Sequence, residues 1–228
     1  MTYYIFIENE KINGTGQCKV LNQDILNIEV EEEIYNNIEK YMYQDGEIVL
    51  DPDYEAREAQ KVQKELVEYN YEAKAKKAYG GILINDTYLF ETNETSQSMI
   101  TASLIGLQSA SDETTLNWKV YTNNQPTVVP LTKVQLSQLF AFALNMINTS
   151  FGLEGVRNND LAIATVEELN DETWVEQYKI ATDLAFNQIN NKIDVVLVKP
   201  PVEEETDTIE PTEEPVEEES NIENLEEV

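Results

Sequence analysis

Histidine is missing from this sequence of 228 residues, and cysteine occurs once, at Cys18. The first absence removes the usual general base near neutral pH, the commonest metal ligand and the centre of any Ser/His or Cys/His arrangement. The second excludes an intramolecular disulfide and a thiolate metal cluster, so a disulfide-stapled secreted fold is not expected. Cys18 itself has no histidine to activate it and reads as a small semi-buried residue. Bases are also scarce: 15 Lys and Arg face 44 Asp and Glu, a net charge of −29. Such a balance opposes binding to nucleic-acid phosphates and anionic lipid surfaces. No run approaches the roughly 18 apolar residues that span a bilayer. The opening Met1-Thr2-Tyr3-Tyr4-Ile5-Phe6-Ile7-Glu8 lacks a basic segment and meets an acid early, so no secretory signal is expected.

What is present is enough apolar residue, 41% with 9% aromatic, to bury a core over most of the chain. The exception is Pro200 to Val228, which holds 13 acids and no base. Its low-complexity, proline-containing acidic composition predicts a disordered tail over 199–228, since it cannot bury enough apolar area to offset the entropy of ordering.

Periodicity divides the rest. Tyr3 to Ile7 predicts a strand, Asn13-Gly14-Thr15-Gly16 a turn, and Leu26, Ile28 and Val30 one face of a second strand. Val30, Ile34, Ile38 and Tyr41 recur at helical spacing. Tyr41-Met42-Tyr43 and Ile48-Val49-Leu50 flank Asp45-Gly46, a hairpin signal. Residues 1–50 therefore predict a small α+β module. Asp51-Pro52-Asp53 is a helix start and Gly80-Gly81 a stop, giving a linker helix over 51–80. Its seam of Ala59, Val62, Leu66, Tyr69 and Ala73 would pack on the same chain or, as a coil, join copies into a homo-oligomer.

A second α+β domain is expected over 81–198. Ile82-Leu83-Ile84 and Tyr88-Leu89-Phe90 form one hairpin around Asn85-Asp86-Thr87, and Leu116 to Val120 with Thr127 to Val129 another, turning at Asn123-Asn124-Gln125-Pro126. Met99, Ile100, Leu104 and Leu107 predict a helix between them. Thr132 and Gln135 form a capping box opening a helix with Leu136, Leu139, Phe140, Ala143 and Ile147 on its apolar face. Thr165 and Glu168 form another box, and Asp171 precedes a last helix lined by Trp174, Tyr178, Ala181, Ala185 and Ile189.

Chemistry-bearing motifs are few. Asp45, Glu47, Asp51 and Asp53 lack the spacing of a calcium loop. Gly14-Thr15-Gly16 lacks the third glycine and the following helix of a dinucleotide loop. No catalytic residue, metal ligand or cofactor is assigned, and a non-enzymatic role is expected. Nine of the 12 tyrosines fall in the first 80 residues. Tyrosine supplies contact area with a polar tip at small entropic cost, which suits an interface, although filling the core of a small sheet would account for them equally well. The candidate partner-binding residues are Tyr3, Tyr4, Phe6, Tyr41 and Tyr43.

Two stretches resemble known families. Gly80 to about Glu168, with the Tyr88-Leu89-Phe90 strand, the Leu116-Asn117-Trp118-Lys119 strand and the Leu131-Thr132 entry into the Leu136 to Phe151 helix, resembles a family of unknown function found in phage tail-region proteins. The N-terminal layout resembles phage tail-fibre assembly proteins: an aromatic strand, a segment like Ile28-Glu29-Val30-Glu31-Glu32-Glu33-Ile34-Tyr35, an Asp-Gly hairpin and a charged helix. The second resemblance implies a chaperone without cofactor or turnover that binds a fibre protein during its folding or trimerisation, and the two together place the partner as a phage tail-fibre or tail-tip protein met in the host cytoplasm. A structural subunit of the tail, carried in the virion, is the second reading. The third, from charge alone, is an acidic DNA mimic that inhibits a host DNA-binding protein.

Overall fold

The protein is described here by a computed structural model, covering residues 1–197. The expected disordered tail lies outside the described residues. The fold is α+β, with short sheets and packed helices.

Strand β1 (Tyr3–Glu8) sits between β2 (Lys11–Gly16) and β3 (Leu26–Val30), antiparallel to both. The expected turn at 13–16 is instead strand. The chain reverses at Asn9-Glu10, both at positive φ, and Gly16 serves the sheet by making room for the Phe6 ring, which also lies over Gly14. A Cβ on Gly16 would come within 2.7 Å of that ring.

The helix expected from Val30 to Tyr41 is shorter. Only α1 (Glu32–Asn36) is α-helical, a 3-10 turn follows at Ile38–Lys40, and Tyr41 already belongs to the next strand. One turn flanked by Asn36-Asn37 has too few hydrogen bonds to propagate. Strands β4 (Tyr41–Gln44) and β5 (Glu47–Leu50) form the expected hairpin, with Asp45 and Gly46 at positive φ.

Helix α2 (Tyr54–Tyr79) starts later than the proline suggested. Asp51 organises the entry: its carboxylate accepts the Asp53 N–H at 2.9 Å and pairs with Arg57, while the Asp53 side chain caps nothing. These hydrogen bonds and the guanidinium hold the Asp51 carboxyl below its ordinary pKa. Gly81, at φ +93°, ends the helix run and opens β6 (Ile82–Ile84).

A five-stranded sheet follows. Its order is β10-β6-β7-β8-β9, with β7 at Tyr88–Phe90, β8 at Thr115–Thr122, β9 at Gln125–Thr132 and β10 at Lys192–Ile193. Both expected hairpins form. Asn85-Asp86-Thr87 separate Ile84 from its partner Tyr88, while the second loop is only Asn123-Asn124, Gln125 and Pro126 already pairing in β9. Asn85, Asp86, Asn123 and Asn124 all have positive φ. The edge strand β10 pairs parallel with β6 and was not anticipated, since two residues carry no periodicity.

Helix α3 (Glu94–Gly106) and the first half of α4 (Lys133–Ile163) cover one sheet face. The core there joins Ile82, Ile84, Phe90, Val120, Val129 and Leu131 from the strands to Ile100, Leu136, Leu139, Ala143 and Met146 from the helices. The Thr132/Gln135 capping box is formed as expected. Helix α4 runs 12 residues beyond Phe151, because its second half packs on α2 rather than on the sheet. A short α5 (Val166–Leu169), capped by the Thr165/Glu168 box, and α6 (Glu172–Gln188), capped by Asp171, complete a helical layer. Its core gathers Ala59, Leu66, Leu161, Leu169 and Tyr178.

Candidate protein-binding surfaces

Successive strand residues point to opposite faces, so the five aromatic candidates separate. Tyr3 shares a face with the buried Ile5 and Ile7. Its ring lies 4.7 Å from that of Tyr35, and its hydroxyl donates to the Glu32 carboxylate at 2.8 Å. That hydrogen bond, with some burial, raises the Tyr3 pKa. Tyr4 and Phe6 occupy the other face, Phe6 over the two glycines and Tyr4 with the Lys19 ammonium 5.5 Å from its ring centroid. Tyr41 and Tyr43 stand together on the separate β4–β5 ribbon, opposite Leu50 and Ile48. All five are half-buried. The structure brings Tyr4 to Phe6 and Tyr41 to Tyr43, but Tyr3 stands apart on the opposite face of its sheet.

A different surface emerges in the helical layer. Gln63 donates to the Leu161 carbonyl at 2.8 Å, Asn70 to the Asn158 side chain at 2.8 Å, and Lys74 meets Glu154 at 3.1 Å. As residue numbers rise on α2 they fall on α4, so the two helices run antiparallel. The buried line of α2 is Ala59, Leu66, Asn70, Lys74 and Ala78. From Leu66 it steps by four and it includes two polar residues; the expected seam shares Ala59 and Leu66 with it but also ran through Val62, Tyr69 and Ala73, which are only partly buried.

Helix α6 lies along one flank of this pair. Tyr69 faces Lys179 and Asp183 there, and Arg157 donates to the Thr182 hydroxyl at 3.0 Å and the Tyr178 carbonyl at 3.1 Å. Burial and then the hydrogen bond to Asp183 push the Tyr69 pKa up to about 12.

No helix among the described residues covers the α2 and α4 residues of the opposite flank. Residues two apart on a helix differ by about 200°, so Val67 and Tyr71 point away from Tyr69 and α6. Tyr71 is 51% exposed and Phe151 45% exposed. They are joined through Lys74, whose ammonium lies 4.0 Å from the Tyr71 ring centroid and 4.5 Å from that of Phe151. Val67, one turn before Tyr71, and Leu144, two turns before Phe151, extend the stripe, and both are exposed. Lys74 itself is only 5% exposed. The ammonium, paired with Glu154, attracts both rings from beneath and draws them together as the aromatic centre of the stripe.

No family model, curated protein or solved structure matches the chain. The two phage resemblances therefore rest on sequence pattern alone.

Among the described residues, no group of three acidic or thiol side chains could hold a metal ion. No helix among them is long and apolar enough to cross a membrane. Sequence reasoning missed the stripe because Val67, Tyr71, Leu144 and Phe151 lie off the two helices' main seams. The signal available was Tyr71 and Phe151, large aromatics on helices that already have a buried line elsewhere.

Proposed function

We propose that the chain is a non-catalytic assembly chaperone that binds a phage tail-fibre or tail-tip protein. One observation carries the binding role: the uncovered stripe of Val67, Tyr71, Leu144 and Phe151, centred on the buried Lys74–Glu154 pair. Large apolar and aromatic residues clustered on a surface are the usual anchors of protein interfaces. The phage partner comes from the sequence resemblances. A chaperone needs a surface that shields apolar area on an unfinished partner and releases it when that partner trimerises. An aromatic stripe within a strongly acidic molecule suits this, since net charge keeps the complex soluble while the stripe supplies contact.

The test is co-expression with the tail-fibre protein, comparing the chain with a Tyr71→Glu/Phe151→Glu variant. The expected result is recovery of fibre with the chain from lysate, loss of that recovery with the variant, and a lower yield of trimeric fibre. Full folding and trimerisation of the fibre in the absence of the chain would overturn the reading. Stoichiometric presence of the chain in purified particles would make it a structural tail subunit instead.

A further inference from the structure

The five-stranded sheet contains a gap. Strand β7 pairs with β8 only at Leu89 opposite Tyr121, although β8 continues for six residues before Tyr121. The cause lies just after β7. Thr92 is fully buried, its hydroxyl donating to the Ala78 carbonyl at 2.9 Å and accepting the Gly81 N–H at 3.1 Å. Asn93 then caps α3, its side chain accepting the Ser96 N–H at 2.9 Å. These bonds draw the chain off β8 toward the end of α2. The space left is a groove of about 1000 Å³, lined on one side by Met99 and Ser103 of α3 and on the other by Leu116 to Lys119 of β8.

The edge facing that groove carries free main-chain groups. A two-residue hairpin loop makes Thr122–Gln125 a hydrogen-bonded pair, and antiparallel pairs alternate from there. Val120, Trp118 and Leu116 thus bond to β9, while Tyr121, Lys119 and Asn117 face the β7 side. Tyr121 meets Leu89. The amides and carbonyls of Lys119 and Asn117 have no hydrogen-bond partner among the described residues. The outer edge of β9 is treated differently. Pro126 and Pro130 stand opposite Tyr121 and Asn117, at the positions that would otherwise present outward N–H groups, so that edge resists strand addition.

We propose that this gap is a slot for an extended peptide strand contributed by a basic partner protein, paired with β8 at Asn117 and Lys119. Strand addition at an open edge takes affinity from main-chain bonds and specificity from alternate side chains. One set of guest side chains would meet Leu116, Trp118 and the 58% exposed Met99, and so is apolar. The other set would lie beside Asn117 and Lys119, and so is polar. Charge selects the source. Glu91 and Glu94 stand at the groove, the Lys119 ammonium is 4.7 Å from the Tyr121 ring centroid, and the whole chain carries −29. Flanking Lys or Arg on the guest is attracted, and this chain's own acidic residues 199–228 are repelled. The slot shares no residue with the α2–α4 stripe, so either surface stands if the other fails.

The experiment selects a displayed library of randomised short peptides against the full chain, with a Lys119→Pro chain as the counter-target. That substitution deletes one groove-facing N–H and none that β9 uses. Expected clones alternate apolar and polar residues between basic flanks and bind the Lys119→Pro chain about tenfold or more weakly, a difference of one order in Kd. Hydrogen exchange on the full chain with a selected peptide should slow at the Asn117 and Lys119 amides. Should Lys119→Pro misfold by circular dichroism, the peptide N-methylated at alternate positions makes the same comparison from the ligand side, with equal weakening expected. Absence of enriched clones, protection elsewhere, indifference to N-methylation, or protection of the same amides by a synthetic 199–228 peptide would each overturn the proposal.

Discussion

At the scale of single residues, the most informative group is Lys74. A charge this buried is tolerated because Glu154 lies 3.1 Å away and two aromatic faces take the place of water. Removing one partner strands the other, which typically costs about 3–5 kcal/mol, whereas replacing both with apolar residues is often neutral. Glu154→Leu alone should therefore lower unfolding free energy by roughly 3 kcal/mol, and Lys74→Met/Glu154→Leu should recover most of it. Urea unfolding of the four chains of that double-mutant cycle provides the check, and additive losses would show that the pair is not coupled. Tyr69 gives a pH prediction. Its pKa is about 12 in the fold against an ordinary 10.0. Between those values the unfolded chain holds fewer protons than the folded one, so stability falls as pH rises. The contribution is complete below pH 10 and lost by about 12. Tyr69→Phe should flatten this alkaline slope in denaturant titrations across that window.

At the scale of elements, what was legible in the sequence follows from where the signal is local. The hairpin at Asn85-Asp86-Thr87, both capping boxes and the helix start at Asp171 are fixed by residues within a few positions of each other and formed as expected, and the second hairpin formed with a turn of Asn123-Asn124 alone, shorter than expected. Thr132→Ala should cost about 1 kcal/mol by leaving the Gln135 N–H without its 3.2 Å partner, measurable as a shift in denaturation midpoint. The misread glycines show the limit. Gly14 and Gly16 resemble turn residues by type, yet both lie in a strand, and the role of Gly16 is set by Phe6 across the strand pair. Gly81 combines both demands. Its φ is +93°, and a Cβ there would lie 2.7 Å from Leu89 Cδ1 and 2.9 Å from the Phe90 carbonyl oxygen. Gly81→Ala should thus cost at least about 1–3 kcal/mol through strain alone, more than the cap substitution. The seam of α2 was legible at Ala59 and Leu66 and misplaced after them, because Asn70 and Lys74 are polar by type and buried by partnership. Neither the amide contact with Asn158 nor the ion pair with Glu154 can be seen until α4 is in place. The candidate surfaces share that difficulty: both arise where one element fails to cover another.

At the scale of the whole molecule, the fold depends on pairings distant in sequence, α2 with α4 and β6 with β10, inside a chain whose acids outnumber its bases by 29. Self-repulsion of that size weakens any compact state. The ion pair at Lys74 is buried and poorly reached by counterions, so added salt should leave it nearly untouched while screening the exposed carboxylates. The two effects do not cancel, since one bridge is set against many surface charges. Raising sodium chloride from about 0.02 to about 0.5 M, which shortens the screening length from about 20 Å to about 4 Å, should therefore raise the Tm. A gain of about 1–2 kcal/mol at the midpoint corresponds to several degrees for a chain of this size. An uncharged osmolyte matched for its effect on a neutral control protein separates screening from general exclusion. If salt raises Tm no further than the osmolyte does, the carboxylates are spaced widely enough that repulsion is not what limits stability. The helical layer's buried polar contacts, from Asn70 to Tyr178 and from Lys74 to Glu154, would then be the place to look for the weak point.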